Sequence, residues 1–269
     1  MKLKKLKVED KIMIPIFIAS IFISVFAYWR ILKLNLTNKK FIDEVIAISE
    51  KNQEAVFKVE KIILISSASA IDNSEDKNLQ DLSIYQYTDL AIYIDNGEEL
   101  TDKNTIKNLY IDNITISTKL NKGTQSLRYK NFAKFGKSDN LDNNQVNRID
   151  FNIICTNEEN EKANYNEPTF YTDCSNPITL GYINQDLVTG YKIGENMSVS
   201  FDGKILSQAG INLNDIECKL KFKINIENNL NEKFSCWLNF KLPLDDVFEG
   251  VSMKSRTLSG TSYNFFCEQ

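Results

Sequence analysis

Histidine is absent from all 269 residues of this chain. That absence excludes Ser-His-Asp and Cys-His catalysis, His-ligated zinc, haem held by histidine, and any imidazole pH switch. Catalysis is left with carboxylates, Lys, Tyr, Cys or Ser–Lys pairs. With 10 glycines and 4 prolines, the chain also has no Gly-rich phosphate loop, no Gly-x-Ser-x-Gly elbow and no low-complexity linker. The formal net charge is −4, and the basic residues concentrate near the N-terminus. A nucleic-acid binder carries a basic stripe or patch, so no nucleic-acid partner is expected. No cofactor motif is present.

What the chain does have is an uncharged apolar run from Ile12 to Trp29. At about 1.5 Å per residue a helix of that length spans roughly 27 Å, close to a bilayer core. Lys2, Lys4, Lys5, Lys7 and Lys11 precede it, and Arg30, Lys33, Lys39 and Lys40 follow. Tyr28 and Trp29 suit a membrane interface. The reading is a basic cytoplasmic N-terminus at 1–11 and a transmembrane anchor at 12–34. The long segment behind it is expected outside the cytoplasm. A cleaved signal peptide, cut after Val25-Phe26-Ala27, is the competing reading, and it also exports the head.

Residues 37–61 read as an amphipathic helix or stalk. Phe41, Val45, Ile48, Asn52, Ala55, Val59 and Ile62 follow a heptad-like spacing. They are candidates for an oligomer seam, with Asn52 setting register. The competing reading packs the same stripe on the chain's own head.

From residue 62 to 269 the period changes to two. Leu90, Ile92 and Ile94 alternate with Ala91 and Tyr93, and Asp95-Asn96-Gly97 closes the run as a turn. Leu109–Asp112 and Ile114–Ser117 suggest a strand bulged at Asn113. Residues 127–135, 148–155, 178–183 and 192–201 read as further strands, and 203–215 has room for a helical turn. The clearest element is a hairpin. Ile216, Cys218, Leu220, Phe222, Ile224 and Ile226 form one apolar face, and Phe234, Cys236, Leu238, Phe240 and Leu242 form the other. The expected fold is therefore mainly β. An N-terminal transmembrane helix and an amphipathic helix precede an antiparallel, jelly-roll-like β-sandwich head.

The cysteines are Cys155, Cys174, Cys218, Cys236 and Cys267. The hairpin places Cys236 opposite Phe222 or Ile224, roughly 13–20 Å along the sheet from Cys218. Those two are not expected to bond. Cys155 and Cys174 flank a loop and are the candidate disulfide. Metal-ligand spacing is lacking among them.

Candidate binding residues are the loop-associated aromatics Tyr165, Phe170, Tyr171 and Tyr182, together with Trp237. The register of Trp237 turns it away from the core, either under the N-terminal helix or into solvent. The segments 72–76 and 139–143 cluster oxygen ligands, without the EF-hand pattern. Asp173 and Asp186 are the carboxylates an anchored carbohydrate-active enzyme would use. The order of apolar helix, amphipathic extension and β-rich head resembles pilin-like subunits in architecture alone, since their leader pattern is missing. The expectation is a non-catalytic, membrane-anchored surface protein that binds a surface protein, a glycan or copies of itself. The alternatives are that enzyme, or a structural subunit of an envelope machine.

Overall fold

The computed structural model of the protein describes residues 20–33, 35–36, 39, 55–97, 99–120, 122–136, 146–155, 166–194, 198–258 and 263–267. The chain divides into two compact units, Met1–Glu54 and Ala55–Gln269. In the first, residues 20–33 are helical and exposed. Among the described residues no helix is long and apolar enough to cross a membrane. Residues 12–19 of the apolar run lie outside the described residues. So do Phe41, Val45, Ile48 and Asn52 of the expected seam, and Tyr165.

The second unit is built on strands β1 (Lys58–Asp72), β2 (Leu82–Asp95), β3 (Ile106–Thr118), β4 (Thr124–Tyr129), β5 (Ile149–Ile154), β6 (Thr169–Tyr171), β7 (Ile178–Tyr191), β8 (Cys218–Asn228), β9 (Lys233–Leu242), β10 (Ser252–Thr257) and β11 (Phe266–Cys267). One sheet has the order β10-β1-β2-β7-β4, the other β11-β9-β8-β3-β5-β6. All pairings are antiparallel except β5 with β6. A single core cluster draws Leu64, Leu90 and Ile92 from the first sheet and Leu220, Phe222 and Leu238 from the second. The two sheets therefore pack as a sandwich. A jelly roll has eight strands, whereas these sheets have five and six.

The alternation in the hairpin works as the sequence suggests. Its two inward rows are buried, and Cys236 lies opposite Ile224 while Cys218 lies opposite Leu242. All five cysteines are unbonded, Cys155 and Cys174 included. The expected bulge appears between Asp112 and Thr115, with Asn113 at φ 51°.

Three expectations are corrected. Val59 and Ile62 do not belong to a helical seam; they lie in β1 and face the core at 2% and 7% exposure. A bulge between Val59 and Lys61 inserts a residue, so positions three apart share one face and imitate helical spacing. Ala55, half-buried, lies just ahead of that strand. Residues 192–194 and 198–201 form no strand, because β7 has already ended at Tyr191 behind Gly190 in the left-handed region. Residues 127–135 form a strand only as far as Tyr129. A 3₁₀ turn at Phe132–Lys134 follows, capped by Asn131, whose side chain accepts from the Ala133 amide at 2.9 Å.

A buried polar row crosses the inside of the first sheet. Ser66 Oγ lies 2.7 Å from Thr88 Oγ1, and Gln86 Nε2 donates to the same Thr88 oxygen at 2.9 Å. Gln86 faces Asn184 across the strands, and Gln125 donates to Asn184 Oδ1 at 3.0 Å. Along each strand this row separates the main core from a smaller cluster of Ala68, Ile84, Leu187, Ile205, Leu206, Ile211, Ile216 and Val247. The short helices Lys204–Gln208 and Leu213–Ile216 supply much of that second cluster.

Candidate functional site

The central strand β2 is buried along nearly its whole length. Its even-numbered apolar residues point into the sandwich. Tyr85, Tyr87, Asp89, Ala91 and Tyr93 therefore line the outer face. A strand covered on both faces must have something lying across its outside, and here part of that cover is the segment following β4.

An ion pair holds the segment down. Lys130 Nζ donates to both Asp89 oxygens at 2.8 and 2.9 Å, with side chains 5% and 0% exposed. The Gly136 amide donates to Asp89 Oδ2 at 2.7 Å, and Tyr87 donates its hydroxyl proton to the Gly136 carbonyl at 2.9 Å. The Lys130 ammonium also lies 4.9 Å from the Tyr87 ring centroid. Burial pushes the Tyr87 phenol up to about 12, so it stays a donor at any physiological pH.

Beside this clamp lies an open cleft of about 370 Å³. Tyr93 of β2, Tyr129 of β4, Thr179 of β7, Phe132 and Pro177 form much of its wall, with Asn131, Ala133, Thr169, Ser175 and Asn176 completing it. Phe132 is 57% exposed, and its ring lies 5.3 Å from that of Phe135. The Asn176 side chain fixes the far rim, accepting from the Tyr171 amide at 2.8 Å and donating to the Thr169 carbonyl at 3.0 Å. Among the described residues no ionised side chain lines the cleft. It combines aromatic walls with hydroxyl and amide groups, which suits an uncharged, hydroxyl-bearing ligand.

The sequence-predicted residues fall in different places. Phe170 and Tyr182 are fully buried core residues. Tyr171 is half-buried beside the cleft rim. Trp237 is 47% exposed on the outer face of the second sheet, with Lys221 Nζ 4.2 Å from its ring centroid. Tyr93, Tyr129, Phe132 and Pro177 were not singled out by sequence. The available signal was Tyr93, an aromatic on the outward register of a strong strand.

The catalytic candidates do not converge. Asp173 lies in the turn around Cys174, close enough to Asp95 that both carboxylates act on that thiol. Asp95 is three residues beyond Ile92, the partner of Ile178. Asp186 lies eight residues along β7 from Ile178, roughly 26 Å away in the opposite direction. That is far beyond the 5–10 Å of a glycosidase pair. Asp72, Asp95, Glu217 and Glu227 are all held below the usual carboxylate range by neighbouring hydroxyl or ammonium donors, whereas a general acid needs the reverse. Burial raises the thiols of Cys174 and Cys236 to about 12 and that of Cys218 to about 11, which removes them as nucleophiles. In the 72–76 segment, Asp72 is occupied by the Ser74 amide and hydroxyl and the Leu79 amide. Among the described residues no cluster of three acids or cysteines is placed to hold a metal. The 139–143 segment lies outside them.

No protein-family model, curated protein or solved structure matches this chain.

Proposed function

We propose that this protein is a membrane-anchored, extracytoplasmic β-sandwich whose head binds a neutral glycan in the cleft between Tyr93, Tyr129 and Phe132. The observation that carries the binding reading is the composition of that cleft: the exposed Phe132 ring and the half-buried Tyr93 and Tyr129 beside hydroxyls and amides, with no charged side chain among the described residues that line it. Ring faces stack on the apolar faces of sugars, and the polar rim meets their hydroxyls. A rim tied down by Asn176 and the Asp89–Lys130 clamp needs little ordering when ligand arrives.

The anchoring reading rests on the uncharged run from Ile12 to Trp29. Its described helical part exposes Phe22 (71%), Ile23 (69%), Val25 (61%), Tyr28 (65%) and Ile31 (56%), which at about 3.6 residues per turn are spread around the helix. A helix apolar all round requires a nonpolar surrounding, and a bilayer supplies one.

The test uses the full chain in phosphatidylcholine nanodiscs on an array of neutral glycans and proline-rich peptides. Glycan binding that falls at least tenfold in Tyr93→Ala and Phe132→Ala supports the proposal. Peptide binding alone, or no binding, overturns it. Protease shielding of a C-terminal tag on intact cells tests the orientation. Removal of the tag by external protease supports export of the head, and protection until the membrane is breached overturns it.

A further inference from the structure

The outer face of the second sheet carries a row of cations with an arrangement of its own. Strand β8 alternates Cys218, Leu220 and Phe222 inward with Lys219, Lys221 and Lys223 outward. Successive lysines on one face of a strand are about 6.7 Å apart. Lys219 stands opposite Lys241, Lys221 opposite Asn239, and Lys223 opposite Trp237. Lys219 and Lys221 are exposed. Among the described residues Lys219 meets no carboxylate, and Lys221 meets the Trp237 ring. The carboxylate next along the same face, Glu217, is taken by Lys119 at 2.6 Å and Lys241 at 3.0 Å, so cations outnumber it on this part of the sheet.

We infer that this face binds a linear, base-free phosphodiester polymer, with Lys219 and Lys221 contacting successive phosphates. Charge complementarity and spacing carry the inference. Phosphates joined through a three-carbon unit repeat at about the spacing of alternate residues on a strand. A small anion would need a closed pocket of converging donors, and a straight row offers none. The aromatic rings of the face are already engaged by cations. Lys221 sits over Trp237 at 4.2 Å, and Arg148 sits 3.8 Å from the Tyr110 ring centroid. A cation over a ring competes with a base for that ring face. Trp237 acts here as a positioning residue, holding the Lys221 ammonium up from the sheet.

This surface is formed by β8 and β9, which contribute nothing to the lining of the aromatic cleft, and the inference does not depend on that cleft having a ligand. The experiment uses the full chain in phosphatidylcholine nanodiscs. A synthetic glycerol-phosphate dodecamer is the probe, with (dT)12 as the competing class. The dodecamer should bind, and affinity should drop roughly 25-fold between 50 and 500 mM salt if two charges on a single strand are neutralised. The double variant Lys219→Gln, Lys221→Gln should lose at least about tenfold. Trp237→Ala should lose a smaller amount, about threefold, with Lys221 present, and should cost nothing further in the Lys221→Gln background, because its effect runs through Lys221. Phe132→Ala should leave dodecamer binding unchanged, which separates this face from the cleft. Failure of the wild-type chain to bind overturns the inference. So does unchanged binding in the lysine double variant, or binding of (dT)12 as tight as that of the dodecamer.

Discussion

Lys130 lies across Gly181 to reach Asp89. Gly181 is the register partner of Asp89, and a Cβ built there would stand 3.1 Å from Lys130 Cδ. The bare backbone at Gly181 is what lets the lysine stem lie flat and deliver its ammonium to both carboxylate oxygens. One small residue on β7 thus decides where the 130–136 segment sits, and that segment carries the Phe132 wall of the cleft.

Breaking this pair on one side strands a buried charge. Lys130→Met should destabilise the head by about 3–5 kcal/mol, and Asp89→Leu by a similar amount. The double variant should recover much of the loss, because two well-packed apolar side chains leave no orphan charge. Denaturant titration of the four proteins measures this. Additive losses in the double variant would show that the pair is not the reason for the instability.

Gly203 makes a second steric demand. A Cβ there would lie 1.7 Å from the Val247 carbonyl oxygen and 2.4 Å from that of Gly250. The Gly203 amide also donates to the Gly250 carbonyl at 3.0 Å. Gly203→Ala should therefore push the Lys204–Gln208 helix off the second core cluster. A loss of about 2 kcal/mol or more is expected, seen as a lower thermal midpoint. Gly136→Ala, with nothing within 4 Å of its added Cβ, is the comparison, although its φ of 69° still makes a side chain there mildly strained.

The cysteines should sort into two classes. Cys155 and Cys267 are exposed, whereas Cys174, Cys218 and Cys236 are buried. A maleimide reagent at neutral pH should label two thiols in the folded chain and five in denaturant, read by intact mass. Rapid labelling of a third thiol without denaturant would contradict the burial of Cys174, Cys218 and Cys236.

Acid should weaken one connection at the end of β2. The Asp95 carboxyl is held below the usual range, chiefly by its hydrogen bond from Lys58, which lies 2.7 Å away. The folded state then binds fewer protons than the unfolded state as pH falls. The contribution is complete above the ordinary carboxylate pKa and is lost as pH drops through the lowered folded value. Both side chains are partly exposed, so it is worth less than about 1 kcal/mol. Asp95→Asn should flatten the acid limb of the stability curve slightly and leave the neutral plateau almost unchanged. A variant whose acid limb matches the parent would show that the pair contributes nothing.

Several features follow from local sequence alone. The absence of histidine narrows the chemistry without any coordinates. The hairpin from Cys218 to Leu242 declares its two faces by strict alternation, so its core, the lack of a bond between Cys218 and Cys236 and the outward turn of Trp237 could be read directly. The apolar run at 12–29 is likewise a property of composition. Each of these depends on neighbours along the chain, where periodicity is a sufficient guide.

Tertiary structure decided the rest, because the determining partners are distant in sequence. The bulge at Val59 made a strand look like a heptad, and only pairing with β2 shows which face Ile62 takes. The polar row of Ser66, Thr88, Gln86 and Asn184 splits the core in two, yet each member alone looks like an ordinary strand position. Phe170 and Tyr182, loop-flanking aromatics by sequence, are buried because both sheets close over them. The cleft exists because Lys130 finds Asp89 some 41 positions away and Gly181 leaves it room. Alternation tells which way a side chain faces; only the packing of distant strands determines what it meets there.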